Sequence, residues 1–275
     1  MSNAISLKAR IRNVASKKNI PAHAVLQYYM MERLLERISV SQYKDSFIIK
    51  GGMIIASLVG LASRTTVDMD TTVRGIPLNE ESVRSILQNI CDIQTNDGAT
   101  LALDNIKPIR IDNIYGGYRA LMTVKYGKIR TPIKLDMTTG DQVIPEPTPF
   151  TFQSLIDERS VQVWAYNIET ILAEKVETIL RRGALNTRLR DFYDVYILIK
   201  TQHIDMEIFK QALKATSEYR MSTLALENKD KILNELYNSS VMRQQWDHYC
   251  KTYGYAAGIG YDMVMKAVED IVRSI

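Results

Sequence analysis

Between Asp141 and Phe150 the chain reads DQVIPEPTPF, with three prolines in ten residues. Prolines at that density punctuate a chain, so this stretch is the clearest boundary in the sequence. It separates two parts of different pattern. Residues 1–145 mix helical periodicity with short β-branched runs, and residues 146–275 are mostly helical after one strand-like run, VQVWAY. At 275 residues the chain fits one large or two modest domains.

Before the boundary, Ile5–Ser39 reads as helical with a break at KKNIPAH, where Pro21 interrupts. Leu26, Tyr29, Met30, Arg33, Leu34 and Arg37 fall near one stripe, the mixed face of a helix packed on a domain. SFIIK is a short strand ended by Gly51 and Gly52, and MIIASLVGLA is apolar enough for a buried helix. TTVDMDTTV reads as a strand, EESVRSILQNICDI as an amphipathic helix, and IKPIRID, YRALMTVKYG and TPIKLDMTT as further strands. YGK is the hairpin turn between the last two. The order is helices, a core with mixed or antiparallel strands, a linker, and a helical half. That predicts an α+β fold of two lobes, 1–145 and 146–275, meeting at a cleft.

No run approaches the ~18 apolar residues of a membrane span. The N-terminus lacks the apolar core of a signal peptide, which points to the cytoplasm. Cys91 and Cys250 make neither a disulfide framework nor a zinc site, and His23, His203 and His248 have no ligand spacing. A metal here would be held by carboxylates. The net charge of +4 is unevenly spread. Lys8, Arg10, Arg12, Lys17, Lys18, Arg33, Arg37, Lys44 and Lys50 crowd the first fifty residues, and Arg181, Arg182, Arg188 and Arg190 form a second cluster. Such patches suit phosphate backbones, or are simply solvated helix faces.

Side chains alternate along a strand, so Asp68 and Asp70 share one face while Val67 and Met69 share the other. Two neighbouring carboxylates repel unless a cation lies between them or one takes a proton. A divalent metal with oxygen ligands is the natural neutraliser. TPIKLDMTT repeats the arrangement, with Ile133, Leu135 and Met137 on one face and Lys134 and Asp136 on the other. If the two strands are neighbours, Asp136 completes a three-carboxylate cluster. Such a cluster can hold two Mg2+ ions about 3.5–4 Å apart, as in two-metal phosphoryl transfer. A strand, two glycines and a helix N-terminus form an anion site suited to phosphate.

In YNIETILAEKVETILRRG, Asn167 is an N-cap and Gly183 a C-cap. Lys175 falls on the stripe of Ile168, Ile171, Leu172 and Ile179, where an apolar residue is wanted. It either snorkels at the edge of the stripe or reaches into a cleft toward an anion. In RLRDFYDVYILI, Asp191, Asp194 or Val195, and Leu198 share a face, so an arginine–aspartate pair that fixes helix packing is the alternative to a catalytic role.

Taken together, FIIKGGMIIASLVGLASRTTVDMD and YNIETILAEKVETILRRGALNTRLRDFYDVYIL resemble the AbiEii/AbiGii nucleotidyltransferase toxins. These are members of the polymerase-β-like nucleotidyltransferase superfamily found in bacterial type IV toxin–antitoxin systems, several of them tied to abortive infection by phage. The resemblance runs from the N-terminal helices to the end of the chain. It implies a nucleotidyltransferase-type mixed sheet with N-terminal helices, and a C-terminal helical lobe that completes the active-site cleft. Gly51 and Gly52 match the glycine motif. The superfamily usually has Gly-Ser there, so a serine hydroxyl is missing, and Lys50 precedes the glycines. Asp68 and Asp70 match the metal-binding pair, Asp136 the position of the third carboxylate, and Lys175 the lysine that contacts the triphosphate. Asp191 or Asp194 matches the later essential aspartate, with Asp191 preferred.

The implied activity is Mg2+-dependent transfer of a nucleotide from an NTP to an acceptor, with Mn2+ able to substitute. The acceptor would be RNA, in particular tRNA, and the outcome arrested growth. The cognate antitoxin would act without a stable complex, and no membrane is involved. The alternatives are a protein or small-molecule acceptor, or a catalytically silent nucleotide-binding module.

Overall fold

The structure, a computed structural model, describes residues 3–109 and 116–275. The end of the IKPIRID run, from Arg110, lies outside the described residues. The chain divides into two compact units, residues 1–140 with 147–165, and residues 141–146 with 166–275.

The first unit opens with α1 (Asn3–Lys18) and α2 (Ala22–Val40), separated at Pro21. Then come β1 (Phe47–Lys50), α3 (Gly52–Val59), β2 (Asp68–Val73), α4 (Glu80–Asp92), β3 (Ala99–Ile109), β4 (Gly117–Tyr126), β5 (Ile129–Thr138), β6 (Thr148–Gln153) and β7 (Ser160–Ala165). The strands make one mixed sheet in the order β3-β4-β5-β2-β1-β7-β6. β2 runs parallel to β5 and β1 parallel to β7, and the other neighbours are antiparallel. The alternation read in TPIKLDMTT is present in β5, where Ile129, Thr131, Ile133, Leu135 and Met137 are buried between more exposed residues. With Met69, Ala120 and Met122 these make the buried face of the sheet. α2 packs on β5 and β7, α3 on β1 and β2, and α4 on β3.

The 145/146 boundary expected from the proline-rich stretch falls just before β6, a strand that the sequence does not reveal. Two prolines, Pro147 and Pro149, hide that strand. β6 is an edge strand paired only with β7, and an edge is where a residue without an N–H is tolerated. Pro108 lies on β3, the opposite edge. Pro132 lies in β5 before pairing with β2 begins at Lys134, so that it too has a partner strand on one side only.

Arg33 and Arg37, counted above among the basic residues, are not surface charges. Both are buried on α2. Arg37 donates to Asp97 at 2.8 Å and to the Ala99 carbonyl at 2.7 Å. Arg33 lies over the Tyr29 ring at 4.5 Å, with Glu36 at 3.1 Å. The sequence offered no sign of the Arg37 partner, which is 60 residues away.

The second unit is helical, with α5 (Ile168–Arg182), α6 (Leu189–Thr201), α7 (Met206–Tyr219), α8 (Thr223–Glu227), α9 (Lys229–Asn238), α10 (Ser240–Thr252) and α11 (Tyr261–Arg273). α5 packs on α6 and α7. Its two ends are those expected. Asn167 Oδ1 accepts from the Thr170 amide at 2.8 Å, and Gly183 caps the C-terminus at φ +51°. No helix among the described residues is long and apolar enough to cross a membrane.

Candidate active site

Sheet register assembles a row of charges in the first unit. Lys50 on β1 lies opposite Asp70 on β2, Asp70 opposite Asp136 on β5, and Asp136 opposite Arg119 on β4. Two residues along, Asp68 lies opposite Lys134. Neighbouring strands are about 4.8 Å apart, so Asp70 and Asp136 start from adjacent backbone positions on one face. The strand neighbourhood that would bring Asp136 to the Asp68–Asp70 pair therefore exists.

The side chains then diverge from a three-carboxylate cluster. Asp136 accepts from Arg119 with both oxygens, from Nε at 2.7 Å and from Nη2 at 2.6 Å. The Asp136 carboxylate holds the Arg119 guanidinium above its ordinary range, with Asp68 and Asp70 adding to the effect. Among the described residues no three histidines, cysteines or carboxylates are grouped so as to hold a metal. Asp68 and Asp70 keep a different environment. Asp68 Oδ1 is buried and makes no hydrogen bond, with Lys134 Nζ 3.6 Å away. Mg2+ takes one or two carboxylates from the protein and completes its shell with phosphate and water oxygens. Asp68 and Asp70, hard oxygen donors with one buried atom lacking a donor, fit such an ion.

The glycines pack directly on this pair. Gly51 has φ +70° and ψ −142°, and a Cβ there would lie 2.6 Å from Asp70 Oδ2. A Cβ on Gly52 would meet Thr66 Oγ1 at 2.8 Å and Arg64 at 3.2 Å. The strand–glycine–helix arrangement read from the sequence is present, with β1 leading through Gly51 into α3. Both glycines are buried, and Lys50 is 8% exposed. Their evident work is to let the backbone turn lie against the Asp70 carboxylate, a close approach that any side chain would block. Gln27 on α2 donates to the carbonyls of Val67 at 3.3 Å and Pro132 at 2.9 Å, tying the entry to β2 to the interior of β5.

In the second unit Lys175 does not simply snorkel. Its Nζ donates to Asp191 Oδ1 at 2.6 Å and lies 3.5 Å from Asp194 Oδ2. The lysine side chain is 19% exposed, Asp191 7% and Asp194 0%. The α5 lysine and both α6 aspartates thus form one largely enclosed group, so Asp191 and Asp194 are not alternatives as far as Lys175 is concerned. The neighbouring Glu174 and Glu177 are held by Arg220 at 3.1 and 2.6 Å. Ser222 Oγ donates to Glu177 at 2.8 Å, and so does Arg181 Nε at 2.8 Å. Burial works against the Arg220 charge, but Glu174 and Glu177 outweigh it and hold the guanidinium above its usual range. This network locks the turn of α5 that carries Lys175. Arg181 faces Glu177 and Arg190 lies over the Tyr253 ring at 5.0 Å, so the second basic cluster is partly engaged within its own unit.

Sequence reasoning missed Arg119 and Arg220. Arg220 has no local signature. Arg119 had one. The hairpin at YGK pairs Tyr126 with Ile129, and seven residues back on each side Arg119 meets Asp136.

The sequence profile of the nucleotidyl transferase AbiEii toxin of type IV toxin–antitoxin systems matches residues 33–273. No curated protein matches the sequence. Among solved structures, a candidate nucleotidyltransferase from H. pylori is 14% identical, with a TM-score of 0.50 over 92% of this chain and 96% of that one. JHP933 from Helicobacter pylori gives 14% identity and a TM-score of 0.49, over 91% and 92% of the two chains. An antigenic nucleotidyltransferase-like protein from Paracoccidioides brasiliensis gives 14% and 0.41, over 72% and 92%. At that identity the H. pylori nucleotidyltransferase shares a fold, and it is the profile match across most of the chain that shows the family. The chain belongs to the AbiEii nucleotidyltransferase toxins of type IV toxin–antitoxin systems, enzymes whose substrate is a nucleotide and whose counterpart is an antitoxin.

Proposed function

We propose that this enzyme transfers a nucleotide from an NTP to RNA, with tRNA the foremost acceptor, and that the transfer arrests growth in a phage-defence setting in the cytoplasm. The observation that carries this reading is the Asp68–Asp70 pair on one face of β2, with the Gly51 turn packed against it. Asp68 and Asp70 would hold Mg2+. The ion, when bound, supplies positive charge to the phosphates and acidifies the attacking hydroxyl.

The chain's own residues do the rest. The acceptor oxygen bonds to the α-phosphorus as the bond to the bridging oxygen breaks. Pyrophosphate leaves with that electron pair, and the hydroxyl proton passes to a strand carboxylate. Lys175, held by Asp191, would provide charge for the β- and γ-phosphates. Lys50, opposite Asp70, and the Gly51–Gly52 turn packed on it would line the phosphates. The exposed Lys8, Arg12, Lys17 and Lys18 of α1 are suited to the RNA backbone.

The internal engagement of Arg33, Arg37 and Arg181 reduces the basic surface and favours, as a second reading, a smaller or protein acceptor. The deciding experiment incubates purified protein with total tRNA, Mg2+ and each α-labelled NTP in turn, beside Asp68→Ala. Label entering RNA from one NTP, and absent with the variant, is the expected result. Absence of label in RNA with every NTP, but label in protein or small molecules of a lysate, would replace RNA with the second class of acceptor.

A further inference from the structure

The Arg119–Asp136 fork is a part of the strand row that a metal cluster does not explain. Asp136 is 15% exposed, and both of its oxygens are taken at 2.6–2.7 Å by one guanidinium. A fork of this kind is planar and bidentate, and arginine does not deprotonate in proteins. A divalent ion on Asp136 would have to share its oxygens with a permanent cation. Arg119 is also held by more than one contact. Its strand position is set by nine paired positions of the β4–β5 hairpin, from Tyr118 opposite Met137 to Tyr126 opposite Ile129. Its side chain is 39% exposed, and the fork uses Nε and Nη2, which leaves further N–H donors for another ligand. The guanidinium therefore stands in the row with Asp70, one strand beyond Asp136, where a second positive charge would be wanted beside a metal on Asp68 and Asp70.

We propose that Arg119, forked onto Asp136, takes the place of a second metal ion: the strand site binds one divalent cation, on Asp68 and Asp70, and Arg119 supplies the other positive charge to a phosphate oxygen of a bound substrate. Asp136 is then a positioning residue for Arg119. The inference rests on the reading of Asp68 and Asp70 as the metal-binding pair.

The test counts Mn2+ by electron paramagnetic resonance in the full chain, bound to a non-hydrolysable NTP analogue. Wild type is expected to hold one ion per complex and Asp136→Asn still one. Arg119→Gln, which frees the third carboxylate, should gain a second ion that Arg119→Gln/Asp136→Asn loses again. Arg119→Lys keeps the charge without the fork and serves as the second variant if Arg119→Gln folds poorly. It too should admit a second ion at higher Mn2+. Calorimetry with the analogue and filter binding with tRNA then tell which phosphate Arg119 meets, through about a tenfold loss of affinity for one of them in Arg119→Gln. Two ions in wild type, falling to one in Asp136→Asn, would overturn the inference and leave the transferase reading intact. An unchanged affinity for both phosphate ligands in Arg119→Gln would equally overturn it. No bound Mn2+ in wild type would overturn the metal-dependent reading itself.

Discussion

Gly51 and Gly60 share a backbone state that side chains rarely adopt, with φ +70° and +86°. They differ in surroundings. A Cβ at Gly51 would fall 2.6 Å from Asp70 Oδ2, whereas at Gly60 it would meet nothing within 4 Å. Alanine at either position should destabilise by about 1–3 kcal/mol through backbone strain. Only Gly51→Ala should also displace the Asp70 carboxylate. Thermal unfolding should therefore shift in both variants, while Mn2+ binding and labelled transfer fail in Gly51→Ala alone. Retained metal binding there would mean that Asp70 is not a ligand. Glu32 gives a prediction on pH. Burial pushes its carboxyl up from 4.5 to about 7, outweighing the bond from Ser154 Oγ and the nearby Arg33 charge. The folded chain then holds this proton more tightly than the unfolded one. The stability it adds is complete below about pH 4.5 and is lost as pH rises through about 7, a change of about 3 kcal/mol at 1.36 kcal/mol per unit. Glu32→Gln is neutral at every pH, so its stability relative to wild type should rise by that amount between pH 5 and pH 8. A constant difference across that range would show Glu32 to be ionised throughout.

At the scale of elements, α5 and α6 meet through charge as well as apolar packing. Lys175 reaches Asp191 at 2.6 Å and Asp194 at 3.5 Å, and Asp194 is wholly enclosed. Removing one partner of a buried pair costs about 3–5 kcal/mol, because the other charge is left without compensation. Lys175→Met should accordingly lower the unfolding temperature as well as abolish transfer. Asp191→Asn should melt nearer wild type, because Asp194 still compensates the Lys175 charge, and still lose transfer, because an amide no longer holds the lysine as a charged pair. Melting and labelled transfer on the same preparations check both. Equal melting of Lys175→Met and wild type would assign the lysine to chemistry alone. The α5 helix shows what a sequence makes legible, since Asn167 and Gly183 act on neighbours a few residues away and leave a local pattern. β5 is legible for the same reason, through its alternation. β6 was not, because Pro147 and Pro149 read as linker and only edge placement makes them tolerable in or beside a strand. The fork from Arg119 to Asp136 required the hairpin register to be carried seven residues from its turn, and the Arg220 network joins groups more than 40 residues apart. Local chemistry was readable. Partnerships made by tertiary register were not.

For the molecule as a whole, the division into two units separates the machinery. The strand carboxylates and the glycine turn belong to the first unit, and Lys175 with its aspartates to the second. Charge adds a second global property. The net +4 is small, and Arg33, Arg37 and Lys50 are buried, so of the basic residues in the first fifty those that face outward lie on α1, with Lys44 beyond it. That helix buries Leu7, Ile11 and Ala15 and exposes Lys8, Arg12, Lys17 and Lys18, while Arg10 is drawn to the Ile156 carbonyl. Each cation on a phosphate backbone contributes roughly 0.7–0.9 to the slope of log affinity against log salt. Replacing Lys8, Arg12, Lys17 and Lys18 with glutamine should therefore weaken tRNA binding at low salt and flatten that slope by up to about three, without moving the melting temperature, since none of the four is buried. Filter binding across a salt series measures it. A flattened slope would place RNA against α1 and support a polyanionic acceptor. An unchanged slope with unchanged transfer would instead locate the acceptor away from α1, and would leave the few outward arginines of the second unit, Arg188 foremost, as the cations to test next.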